Sequence, residues 1–129
     1  MNKSTMENIY KKSFADELKR QSNGGYAVYT TDDNDNVVTY KDTGKGKFFL
    51  CGWACIHFSG KDDIRLKNKL VKMGYKVGKS YYGGLNFSLN SAKHHSNGMY
   101  EIMTSAYGEV ADYLRKEGFN SVRVESNLD

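Results

Sequence analysis

A chain of 129 residues, 39% of them hydrophobic, is long enough for one core of ordinary size and gives no reason to expect a second domain. Its 26% charged and 13% aromatic content excludes the low-hydrophobicity, high-charge regime of unfolded chains, so one domain over residues 1–129 is expected. The net charge of +4 fits an anionic partner but is modest for a dedicated nucleic-acid binder.

No apolar run nears the roughly 18 residues that span a bilayer, and Met1-Asn2-Lys3-Ser4 lacks a secretory apolar region. A cytoplasmic protein without a membrane partner is expected. Proline is absent while lysine, asparagine and tyrosine are plentiful, a mix favoured by AT-rich coding sequence, as in many phages and mobile elements.

Ser4-Thr5-Met6-Glu7 has the form of a capping box and predicts a helix start. Met6, Tyr10, Phe14 and Leu18 recur every four residues, Ile9 widens the stripe, and Gly24-Gly25 ends it. Tyr26–Thr30 and Val37–Tyr40 are β-branched and aromatic around an Asp- and Asn-rich turn, which predicts a hairpin. Residues 1–46 thus read as an N-terminal helix and hairpin, and residues 47–125 as the core.

The apolar run Phe48 to Phe58 predicts a central strand, in which Gly52 suggests a bulge or a close backbone approach. Ser59 is the expected N-cap of the next helix, with Asp62 and Asp63 favoured by its dipole and Leu66, Leu70 and Met73 facing inward. Gly83-Gly84 predicts a two-residue hairpin link between Val77–Tyr82 and Leu85–Asn90. Met99, Ile102, Met103, Ala106, Val110, Tyr113 and Leu114 mark a last helix that ends at Gly118, before a strand with Val122 and Val124.

Both core helices close on a glycine followed by an aromatic residue, Gly74-Tyr75 and Gly118-Phe119. The order strand, helix, strand, strand, helix, strand predicts an α+β, ferredoxin-like (βαββαβ) antiparallel sheet, with two helices on one face and the other face free. That architecture hosts many unrelated activities, so function must come from particular side chains.

Between Lys61 and Lys79 there are seven basic residues and two acidic ones. Lys61, Arg65, Lys69 and Lys72 fall on one helix face, and Lys76 and Lys79 carry the charge into the next strand. Cations in a row would neutralise phosphates, although a solvated helix face is often lysine-rich for solubility alone. Phe48, Phe49, Trp53, Phe58, Tyr81, Tyr82 and Phe87 crowd the strands and would stack on bases if exposed, whereas rings on strands more often fill cores.

Gly84-Leu85-Asn86-Phe87-Ser88-Leu89 faintly resembles the third-strand signature of RNA-recognition domains, but it lacks the preceding basic residue and has Leu85 where the first stacking ring belongs. The element order also resembles the CRISPR-associated and VapD ribonucleases, small ferredoxin-like proteins, on Gly74-Tyr75 and Lys79-Ser80-Tyr81-Tyr82-Gly83. Those families place an aspartate in or just after their first strand. This chain has Cys51, Trp53, Cys55 and His57 there, so no catalytic residue carries over.

Cys51 and Cys55 in a strand would lie too far apart for a disulfide, and their spacing is not a zinc knuckle, so reduced thiols and no metal are expected. Asp32-x-Asn34-x-Asn36 opens like a calcium loop, but Val37 stands where glycine is needed. No cofactor motif is present.

The reading is a non-catalytic binding protein acting on nucleic acid or a nucleoprotein complex, with a phage or mobile-element inhibitor of a host factor as the role that the composition suits. Lys61, Arg65, Lys69, Lys72, Lys76 and Lys79 would contact phosphate, and Tyr81 and Tyr82 would flank them. The alternatives are a small nuclease using His57, His94 or His95, and an oligomer in which a second copy covers the free sheet face.

Overall fold

The computed structural model describes residues 1–22, 27–34, 36–42, 52–89 and 100–128. Among these it is a mixed α/β protein with three helices, a four-stranded antiparallel sheet and a separate hairpin. Cys51, His94 and His95, with Phe48, Phe49 and Met99, lie outside the described residues.

Helix α1 (Lys3–Ser22) starts earlier than the capping box implies. Asn2 Oδ1 accepts from the Thr5 N–H at 3.2 Å, and Glu7 accepts instead from the Tyr75 hydroxyl at 2.8 Å. Asn2 already serves the first-turn donors, so Ser4 sits inside the helix. Met6, Tyr10 and Leu18 are buried, and Phe14 and Ile9 pack on the core as partly buried neighbours.

Strands β1 (Ala27–Thr31) and β2 (Val37–Asp42) pair antiparallel with an irregularity at Thr30/Thr31. Asp32 Oδ1 closes their turn by accepting from the N–H groups of Asn34 and Asn36. These bonds to the ionised form, that of Asn36 foremost, hold the Asp32 carboxyl below the usual carboxylate range.

The larger sheet contains β3 (Gly52–Phe58), β4 (Gly78–Lys79), β5 (Leu85–Phe87) and β6 (Arg123–Leu128), in the spatial order β4-β5-β3-β6. Helix α2 (Asp62–Lys72) connects β3 to β4, and α3 (Tyr100–Lys116) precedes β6. Ala54, Ile56 and Phe58 share one face of β3 by parity. They join one core cluster with Leu66 and Leu70 of α2, Met103 to Leu114 of α3, and Met6 and Tyr10 of α1. The Tyr10 and Tyr107 rings meet edge to face at 4.9 Å, while the Asn2 N–H donates to the Tyr113 hydroxyl, so α1 runs antiparallel to α3.

The glycine–aromatic phrases terminate both core helices in the same way. Gly74 (φ 93°) and Gly118 (φ 100°) are left-handed. The Tyr75 N–H donates to the Leu70 carbonyl and the Phe119 N–H to the Leu114 carbonyl, each at 3.1 Å. Each is a Schellman closure, and the ring that follows it is buried in the core.

Three expectations are corrected. Ser59 is not a cap: its N–H donates to Ser121 Oγ, and the residue that begins α2 makes no side-chain cap bond. The β4–β5 link is longer than two residues, because β4 ends at Lys79 and Ser80 to Gly84 leave the ladder. The second sheet face is not free at its centre. Cys55, His57 and Glu125, which point away from the helices, are all buried. Phe58 and Phe87 lie in the core, leaving the described rings at Tyr81 and Tyr82 as the exposed ones.

Candidate nucleic-acid interface

Lys61, Arg65, Lys69 and Lys72 line one flank of α2, since spacings of four, four and three residues stay within about a quarter turn of a 3.6-residue helix. Lys76 and Lys79 follow on the way into β4, and all six side chains are exposed. Among the described residues, no carboxylate forms an ion pair with Lys61, Lys69, Lys72, Lys76 or Lys79.

Arg65 differs. Its guanidinium donates to Asp62 Oδ1 at 3.2 Å and to the Gly118 carbonyl at 3.1 Å, and lies 4.6 Å from the centroid of the Phe119 ring. It therefore clasps α2 to the turn that follows α3. Asp62 completes this clasp by accepting from the Ser121 N–H at 2.9 Å. That backbone bond, then Ser121 and Arg65 side-chain contacts, holds the buried Asp62 carboxyl below its ordinary range.

Tyr81 and Tyr82 sit at the tip of the β4–β5 turn, 92% and 66% exposed, with ring centroids 5.1 Å apart and planes at 87°. Buried polar contacts hold the turn from beneath. Ser80 Oγ donates to the Glu125 carboxylate, the Tyr82 N–H donates to Ser80 Oγ at 3.3 Å, and His57 Nε2–H donates to the Gly83 carbonyl at 2.6 Å. Gly83 and Gly84 have φ of 87° and 75°. A Cβ on Gly84 would also come within 2.7 Å of both His57 Nε2 and the Phe58 carbonyl oxygen. The turn requires glycine there for conformation and for space.

His57 is only 4% exposed, and its Nδ1 has no hydrogen-bond partner among the described residues. The bond to a carbonyl fixes the proton on Nε2, so the ring offers no free nitrogen to solvent and is not placed to act as a general base on a nucleic acid. Asp62 faces Ser121 and Arg65 rather than His57. Cys55, beside Glu125 in register, has its thiol pushed up to about 12, chiefly by burial and further by the Glu125 carboxylate. It is a packed thiol rather than a nucleophile. Among the described residues no cluster of three His, Cys, Asp or Glu is arranged to hold a metal ion.

Sequence patterns identify the lysines, the tyrosines and the Gly83-Gly84 turn but miss Ser80, Glu125 and Arg123. Arg123 is exposed and directly opposite His57 in the β3–β6 register, on the sheet face that bears the tyrosine turn. No signal near Ser80 points to a partner 45 residues away.

No known family model, curated protein or solved structure matches this chain. No helix among the described residues is long and apolar enough to cross a membrane.

Proposed function

We propose that the protein is a cytoplasmic, non-catalytic binding module that engages nucleic acid, free or within a nucleoprotein complex, through Lys61, Lys69, Lys72, Lys76 and Lys79. The observation that carries this reading is that these five exposed ammonium groups have no ion-pair partner among the described residues. Paired lysines would already have their charge compensated, whereas unpaired ones gain by displacing the counterions of a phosphate chain. Arg65 belongs to the edge of this surface, since its guanidinium is taken up by Asp62, Gly118 and Phe119.

We infer further that the unit from β3 to β6 is a ferredoxin-like arrangement. Its support is that β5 lies between β3 and β4, and β3 between β5 and β6, so each strand–helix–strand unit is split by a strand of the other. The composition suits an accessory of a phage or mobile element that occupies a host factor.

The test replaces Lys69 and Lys72 together by alanine and measures binding to labelled nucleic acid over a salt series. Loss of affinity, with a salt slope lower by roughly 1 to 2, is expected if both contact phosphates. Unchanged affinity and slope would reduce the flank to a solvated helix face.

A second copy of the chain is the competing partner, favoured by Ile64 and Val71, both exposed and seven residues apart on the outer side of α2. Light scattering at two concentrations decides it, since a monomer at both removes this reading.

A further inference from the structure

We propose that the ligand is single-stranded nucleic acid and that Tyr81 and Tyr82 are its base-stacking platform, with Lys79 and Arg123 as the flanking phosphate contacts. This rests on the nucleic-acid reading above and narrows it to one strand state.

The first ground is exposure combined with fixed placement. A turn with two adjacent tyrosines in water would ordinarily be loose, yet this one is tied to the sheet through Ser80 and Glu125, and through His57 and Gly83. These contacts span 45 and 26 residues of sequence and hold Ser80 and Gly83 on either side of the pair, so the rings are presented before any ligand arrives. Their packing at 87° sets the edge of one ring toward the other, and most of the surface of both residues stays exposed.

The second ground is the charge around the pair. Lys79 immediately precedes the turn and is exposed. Arg123 of β6 is the register partner of His57 in β3, and the His57 ring touches the Gly83 carbonyl, which places a second exposed cation on the other side of the turn. Open aromatic faces between cations match a chain that alternates flat bases with phosphates. A duplex keeps its base faces stacked on one another and offers phosphates, sugars and base edges instead, so it would engage the lysines and leave both rings without a base to stack on. Stacking is tolerant of base identity, so little sequence preference is expected.

The test measures fluorescence anisotropy of labelled poly-dT and poly-U oligonucleotides, and of a DNA duplex of equal length, with the wild-type chain and three double variants. Tyr81→Ala/Tyr82→Ala should weaken single-strand binding by at least about tenfold, leave duplex binding unchanged and keep the salt slope. Tyr81→Phe/Tyr82→Phe should restore single-strand binding, since the rings remain. Lys69→Ala/Lys72→Ala should weaken both ligands and lower the slope. A circular dichroism spectrum matching wild type confirms that each variant is folded.

If the tyrosine variant binds single strands as well as wild type, the platform is refuted while the lysine surface stands. Equal losses for single strand and duplex also refute it. If the wild-type chain binds none of the three ligands, both proposals fall. Loss of self-association on removing the rings, with nucleic-acid binding unaltered, would assign the pair to a second copy and overturn the stacking role.

Discussion

The hydroxyl of Ser80 donates to the carboxylate of Glu125 at 2.8 Å, joining the β4–β5 turn to the last strand across the face of the sheet. Glu125 is 6% exposed, and among the described residues its carboxylate accepts from the Ser80 hydroxyl. Ser80→Ala removes that donor and leaves the carboxylate without it, at a cost of about 2 to 3 kcal/mol, whereas Glu125→Gln keeps an acceptor and should cost less. Urea unfolding followed by circular dichroism reads the difference. A midpoint for Ser80→Ala equal to wild type would show that the bond contributes nothing in solution.

Glycine substitutions should rank by space as well as by backbone angle. Gly74 and Gly118 have positive φ with nothing within 4 Å of an added Cβ, so alanine there should cost about 1 kcal/mol. Gly84 combines φ +75° with the 2.7 Å approach to the Phe58 carbonyl oxygen, a backbone atom that cannot swing away. Gly84→Ala should therefore destabilise by about 3 kcal/mol or more. Thermal melts of the three variants side by side provide the test, and equal losses would contradict this ranking.

Asp62 predicts part of the acid sensitivity. Its carboxyl is held low in the folded chain by the Ser121 N–H first, so the folded state binds its proton more weakly than the unfolded state, whose value is about 3.9. The stabilisation is fully present above that unfolded value and is lost as pH falls through the lower folded one. Asp62→Asn should be less stable than wild type near neutrality, with the gap narrowing below about pH 4. Denaturant midpoints across that range check it, and a gap independent of pH would remove Asp62 as the cause.

Short-range chemistry was legible in the sequence. The Gly74-Tyr75 and Gly118-Phe119 phrases mark helix ends because the left-handed residue and the ring that follows are set by neighbours within one turn. The α3 stripe was readable because its burial follows the helical period, although Tyr107, four residues after Met103 and seven before Leu114 on the same face, was missed. The capping box failed at Ser4 because Asn2 caps the helix two residues earlier, through the Thr5 N–H, and its Glu7 is engaged by a residue 68 positions away.

The candidate site was half readable. Tyr81, Tyr82 and the lysines stand out by type, but the contacts that aim the turn do not. His57, Ser80 and Glu125 look like residues of a solvent-facing strand side, since alternation shows which face a side chain takes and not what folds over that face. The same gap explains why the second sheet face was expected to be free.

The Tyr75 hydroxyl reaching Glu7, and the Lys3 ammonium 5.2 Å from the centre of the same ring, make the leading helix a structural strut. A fragment beginning at Gly52 would keep every strand of the larger sheet yet strip Met6 and Tyr10 off the core, baring Tyr107. The smallest piece able to stand alone thus includes the opening twenty-two residues, and truncation from that end should give insoluble material rather than a lighter binder.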